Sequence, residues 1–187
     1  GSRCPSTSAS TGAIVTFYGN GGAKFLGTPG RAPAVLFPPT TGGHFGAAVT
    51  VGDVNGDGFA DVIVGSPFSG SNGQVFVYLS PGLAGISSGA APALRMTGAQ
   101  VNCHFGTSVA IAGDVNRDGY LDVLVGSPDY LGKFSSLVGR WSLHRGTSAG
   151  PDTTHVGTRI GPFGVPLGRA PRGAGGGAGD GAPALVA

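Results

Sequence analysis

The sequence contains no glutamate, only two lysines, one tryptophan, one methionine and two cysteines. Without Glu and Lys the usual surface of a water-facing helix is missing. No window repeats apolar residues at helical spacing either, so an all-β chain is expected. Charged residues make up 11% of the chain, against about 25% in an ordinary globular domain. The net charge is +2 and the basic residues are scattered, which argues against nucleic-acid binding. No run of 18 apolar residues occurs, so no transmembrane span is expected. No signal peptide is recognisable, and the chain reads as a mature form or an excised piece. Cys4 and Cys103 allow one disulfide, but their spacing does not demand it.

What is abundant is glycine, with 38 residues, and proline, with 14. Together they reach about 28%, where low-complexity disorder has to be considered. Most of them fall between short apolar runs, where they read as turns between strands.

All nine acidic residues are Asp, and six of them lie in two nine-residue segments. These are Asp53-Val-Asn-Gly-Asp-Gly-Phe-Ala-Asp61 and Asp114-Val-Asn-Arg-Asp-Gly-Tyr-Leu-Asp122. Oxygen-bearing side chains stand at positions 1, 3, 5 and 9, with Gly at position 6. Three carboxylates this close repel one another unless a cation lies between them. Calcium suits the pattern, because it accepts 6–8 oxygen ligands in flexible geometry, whereas magnesium demands a stricter octahedron. Transition metals prefer His or Cys, and neither occurs in the segments. A single copy would also read as a surface Asx-turn; two copies in matched context weigh against that. An EF-hand needs a carboxylate at position 12, where Val64 and Val125 stand. Each segment runs directly into an apolar, β-branched string, so Asp61 and Asp122 are expected to open strands.

The match extends beyond the segments. His44-Phe45-Gly46 precedes the first and His104-Phe105-Gly106 the second; Gly65-Ser66-Pro67 and Gly126-Ser127-Pro128 follow them. Alternating strands then appear at Gly73–Tyr78 and Gly139–Leu143, with a counterpart one period earlier at Gly12–Tyr18. A period near 60 residues with about four short strands per unit reads as a propeller blade. These residues resemble the FG-GAP repeat, the blade of the integrin α-subunit β-propeller, with Gly-Ser-Pro in place of Gly-Ala-Pro. The Tyr78-Leu-Ser-Pro-Gly-Leu83 stretch is more similar to bacterial and algal surface proteins that carry such repeats. The resemblance is strong over 44–130 and fair from 12 to 145.

The resemblance implies two calcium ions, each in the hairpin loop between the first two strands of a blade. In the first loop it implies the side chains of Asp53, Asn55, Asp57 and Asp61 with the carbonyl of Phe59. In the second it implies Asp114, Asn116, Asp118 and Asp122 with the carbonyl of Tyr120. Gly58 and Gly119 supply the sharp turn, and Phe59 and Tyr120 are expected to cover their loops. Arg117, where the first loop has Gly56, is expected to weaken the second site.

The expected architecture is a partial β-propeller of about three blades, each a four-stranded antiparallel sheet. Residues 1–43 would hold the late strands of a preceding blade, 44–100 one blade and 101–160 another. Residues 161–187 read as a degenerate half-blade or a flexible Gly-rich tail, since Ala184 replaces the last Asp of the template. Closed propellers use 4–8 blades. A partner protein or self-association is therefore expected to complete the ring, and two copies would make six blades.

The implied function is a calcium-stabilised adhesion or protein-interaction module, extracellular or at the cell surface. In integrins the ligand surface lies on the face opposite the calcium hairpins. A carbohydrate-binding propeller, a subunit of a larger surface assembly and an accessory domain of a hydrolase remain alternatives. Trp141 is the one feature that favours a glycan. No catalytic residue is expected: no Gly-x-Ser-x-Gly or His-Glu-x-x-His occurs, and repeat position explains His44 and His104. Cys103 and His104, if adjacent on a strand, would point to opposite faces.

Overall fold

A computed structural model describes residues 12–16, 33–132 and 138–160. Cys4, the end of the Gly12–Tyr18 segment and residues 161–187 lie outside the described residues. The described chain is all-β apart from one turn of 3-10 helix at Gly82–Ala84. Strands β1 (Ile14–Thr16) and β2 (Ala34–Leu36) form an antiparallel pair. Strands β3 (Ala48–Gly52), β4 (Asp61–Ser66), β5 (Gln74–Tyr78) and β6 (Leu94–Thr97) form an antiparallel meander in chain order. Strands β7 (Ser108–Gly113), β8 (Asp122–Ser127), β9 (Arg140–His144) and β10 (Gly157–Ile160) repeat that meander.

The three sheets stack face to face. Val62, Val64, Phe76 and Tyr78 cover one face of the β3–β6 sheet and meet Leu36 and Phe45. Ile63, Val75, Val77 and Met96 cover the other face and meet Val123, Val125 and Phe105. Strand β4 is thus buried along its whole length, which is why its sequence is a continuous apolar run rather than an alternation. Each large aliphatic side chain buried this way contributes about 1.5–3 kcal/mol.

The two meanders differ by one residue. His44 to Gly52 spans nine residues, whereas His104 to Gly113 spans ten. The pairing of β7 with β8 absorbs the extra residue as a shift between Ile111 and Gly113. A bulge of this kind adds a residue without turning the rest of the strand over.

Glycine makes the seam between the sheets. A Cβ on Gly65 would fall 2.0 Å from the Gly106 carbonyl oxygen, and one on Gly73 would fall 2.4 Å from that of Phe105. One period earlier, a Cβ on Gly12 would fall 1.8 Å from the Phe45 carbonyl oxygen. The Phe-Gly backbone of each repeat therefore lies directly on glycines of the preceding one. Within each repeat, the amide of Gly46 or Gly106 donates to the carbonyl of Gly65 or Gly126, both at 3.0 Å.

Cys103 and His104 lie in the loop before β7, not on a strand. Cys103 is buried and donates to the Asn72 carbonyl. His104 takes a positive φ of 53° and pairs through Nδ1 with Asp129. The two side chains thus bond to different partners, Cys103 to the Asn72 carbonyl and His104 to the Asp129 carboxylate.

Gly65→Ala is expected to destabilise by about 3 kcal/mol, because its Cβ meets fixed backbone. Gly126→Ala, whose Cβ meets the movable Ser108 hydroxyl, is expected to cost less. Thermal unfolding of the two variants checks the order.

Candidate metal centre

Both Asp-rich segments form the hairpin loops between the first and second strands of their meanders, β3–β4 and β7–β8. Asp61 is the first residue of β4 and Asp122 the first of β8. The loops close on themselves through side chain–backbone bonds. Asp53 Oδ1 accepts from the Asp57 amide at 3.1 Å, and Asp53 Oδ2 from Gly58 at 2.8 Å. Asp114 accepts from Asp118 at 3.0 Å and from Gly119 at 2.9 Å. Asp57 accepts from the Phe59 amide and from Asn55 Nδ2; Asp118 does the same with Tyr120 and Asn116. Gly58 and Gly119 sit at φ 85° and 92°, where a side chain is strained. Arg117 occupies the left-handed region at φ 62°, where the first loop has Gly56 at 73°.

The ninth-position carboxylates do different work from the others. Asp61 is fully buried; its Oδ2 accepts from the Val54 amide at 3.0 Å and its Oδ1 from Ser80 at 2.8 Å. Asp122 repeats this with Val115 and Gly146, both at 2.9 Å. Each therefore ties its hairpin loop to the chain leaving the third strand. The sequence showed the carboxylate but not this tie, because the Ser80 and Gly146 amides carry no side-chain signature.

The donor set is oxygen only, three carboxylates and one carboxamide per loop. A carboxylate offers about four lone-pair sites, and the amide bonds leave sites free on every one of these groups. That chemistry fits a hard cation. Among the described residues, no three acidic, His or Cys side chains already converge as a metal cluster. The bonds shown hold the loops in shape from within.

The side chains at position 7 behave differently in the two loops. The Phe59 ring lies against Gly82, in the β5–β6 connection of its own sheet; the Tyr120 ring lies over Gly56, in the first loop. On the opposite end of the sheets, Phe68 stands between His44 and His104, with ring centroids 4.5 and 4.6 Å apart.

Burial is the main cause that raises the Asp61 carboxyl above its ordinary 3.8. The Ser80 and Val54 amides oppose it, and the Asp57 and Asp53 carboxylates add to it. A carboxyl with a raised folded pKa binds more protons folded than unfolded, so its contribution lowers stability as pH rises above 3.8. In chelator, Asp61→Ala is expected to flatten this fall. It should also cost about 1–3 kcal/mol for each backbone amide left unpaired. Urea midpoints against pH for the two proteins check both effects.

Residues 45–78 and 105–137 match the FG-GAP repeat family. The chain is 39% identical over 94 residues to integrin alpha-IIb of Mus musculus, covering 46% of this chain and 9% of that protein. It is 37% identical over 105 residues to integrin alpha-3 of Cricetulus griseus, covering 53% and 10%. With integrin alpha-7 of Homo sapiens it shares 42% over 89 residues, covering 45% and 7%. The chain thus spans 10% or less of the length of these relatives. No helix among the described residues is long and apolar enough to cross a membrane. With both matches falling on the two stacked meanders, the chain carries two FG-GAP repeats and is homologous over them to integrin α subunits.

Proposed function

We propose that the chain is a calcium-stabilised extracellular adhesion or protein-interaction module, with the metal structural rather than catalytic. The observation that carries this reading is the matched pair of loops. Both close with the same bonds from Asp at position 1 to the amides at 5 and 6. Both also present the same oxygen-only donors. The cation in the first loop would be held by Asp53, Asn55, Asp57, Asp61 and the Phe59 carbonyl. In the second it would be held by Asp114, Asn116, Asp118, Asp122 and the Tyr120 carbonyl. Bound calcium would offset the mutual repulsion of the carboxylates and tie each first hairpin into one shape. Extracellular sites of this class bind at about 10⁻⁴–10⁻³ M.

Further blades would complete the assembly. Val109 and Ile111 of β7 pack against the core between the two meanders. Their counterparts on β3, Val49 and Val51, are 42% and 57% exposed. Val54 is buried between the sheets, whereas its counterpart Val115 is 46% exposed. The first strand of the middle sheet, on its face towards the β1–β2 pair, and the outer side of the second meander thus offer apolar residues for further blade strands to cover, from another part of a longer chain, a second copy or a partner protein.

Calorimetric titration is expected to show two calcium sites. Asp57→Ala and Asp118→Ala should each remove one and lower the melting temperature in calcium. Unchanged stoichiometry in the double variant would overturn the ligand assignment. Light scattering in millimolar calcium should show a defined oligomer if a second copy supplies the missing blades, and a monomer if they come from elsewhere.

A further inference from the structure

The two loops share a sequence pattern but not an environment. Asp53 and Asn55 are half-buried, whereas Asp114 and Asn116 are exposed. The cause is the second meander, which stands beside the first loop. Val54 sits fully buried in the core between the sheets, with Ile111 and Leu121 packed on the same cluster. A Cβ on Gly52, the last residue before the loop, would fall 3.0 Å from Ile111 and 3.4 Å from Leu121. The Tyr120 ring then lies against the turn at Gly56, whose outer side stays exposed. A Cβ on Gly56 would fall 2.9 Å from its Cε1 and 3.1 Å from its Cδ1. Gly56 bonds directly to a proposed ligand, its amide donating to Asp53 Oδ1 at 2.7 Å. At position 6 the loops do not differ, since a Cβ on either Gly58 or Gly119 would meet nothing within 4 Å; the ring contact is at position 4, where the second loop has the exposed Arg117.

We infer that the Tyr120 side chain is a positioning residue for the first cation site, while its own backbone belongs to the second. The inference rests on the calcium reading above. The ring holds the Gly56 turn, and through it Asp53, in the shape that receives the ion. A site preorganised by its surroundings loses less freedom on binding and binds more tightly. The first loop is therefore the tighter of the two, for two reasons that add: it is buttressed from the next repeat, and Gly56 takes its left-handed φ without the strain that Arg117 carries. The sites are also coupled. The Tyr120 amide donates to Asp118 at 3.0 Å, so an ion that orders the second loop also orders the ring that supports the first.

Site-resolved calcium titration by amide NMR tests this, with Gly58 reporting on the first loop and Gly119 on the second. In the wild type, Gly58 is expected to respond at lower calcium than Gly119. Tyr120→Ala should shift the Gly58 midpoint upward about tenfold, the usual scale for losing an outer partner of a metal site. Tyr120→Phe should leave it unchanged, because the ring and not the hydroxyl makes the contact. Tyr120→Leu serves in place of Ala if the sheet amides show that the Ala variant is not folded. A Gly58 midpoint within twofold of wild type in the folded truncation, with both glycines still responding, would overturn the positioning role and leave calcium binding standing. No calcium response at either glycine in the wild type would overturn both.

Discussion

The backbone of Phe105 and Gly106 lies on glycines of the preceding repeat, and the rest of the arrangement follows from that contact. With Gly65 and Gly73 offering no Cβ, the carbonyls of the next repeat come closer than any side chain would allow. Gly98 shares the seam, since a Cβ there would meet the Phe105 side chain at 2.7 Å and Cys103 Sγ at the same distance. Close approach of the two sheets brings Phe105 into the core and buries the facing rows of β4, β5 and β8. It also sets how far the hairpin loops stand apart. The glycines at these positions are steric requirements of the joint, and the high glycine content of the chain reflects stacking as much as turning.

That joint makes two similar loops unequal. Each is closed by its own Asp and Asn side chains, and each is tied to the third strand by a buried carboxylate. Those features are local and recur with the sequence. The surroundings do not recur, because only the first loop has a described meander on its open side. Tyr120 reaches back across the joint, whereas Phe59 stays on its own sheet.

The joints themselves differ in chemistry. Between the β1–β2 pair and the first meander, Phe76 and Tyr78 pack with Phe45. At the same register in the second meander stand Ser142 and His144. His144 is buried and its Nδ1–H donates a hydrogen bond to the Asp152 carbonyl, and burial lowers its pKa, which favours the neutral imidazole. The second joint is thus the more polar of the two, and glycine contact rather than aromatic packing is what they hold in common.

Much of this was legible in the residues. The absence of Glu, the β-branched runs after each Asp segment and the 60-residue period point to stacked antiparallel sheets. Those are properties of local pattern, which a single chain displays openly. The Asp at positions 1, 5 and 9 were legible as a group, and the split in their roles was not. Asp61 meets Ser80 only because β5 returns beside β4, and nothing in the sequence marks a backbone amide as a partner. Likewise, Tyr120 reads as the cover of its own loop by analogy with Phe59. The sequence alone determined the strands, the repeat and the oxygen-rich loops, because spacing and residue type dictate them. The tertiary structure decided which loop is sheltered and by which ring, because that depends on how closely one sheet settles on the next.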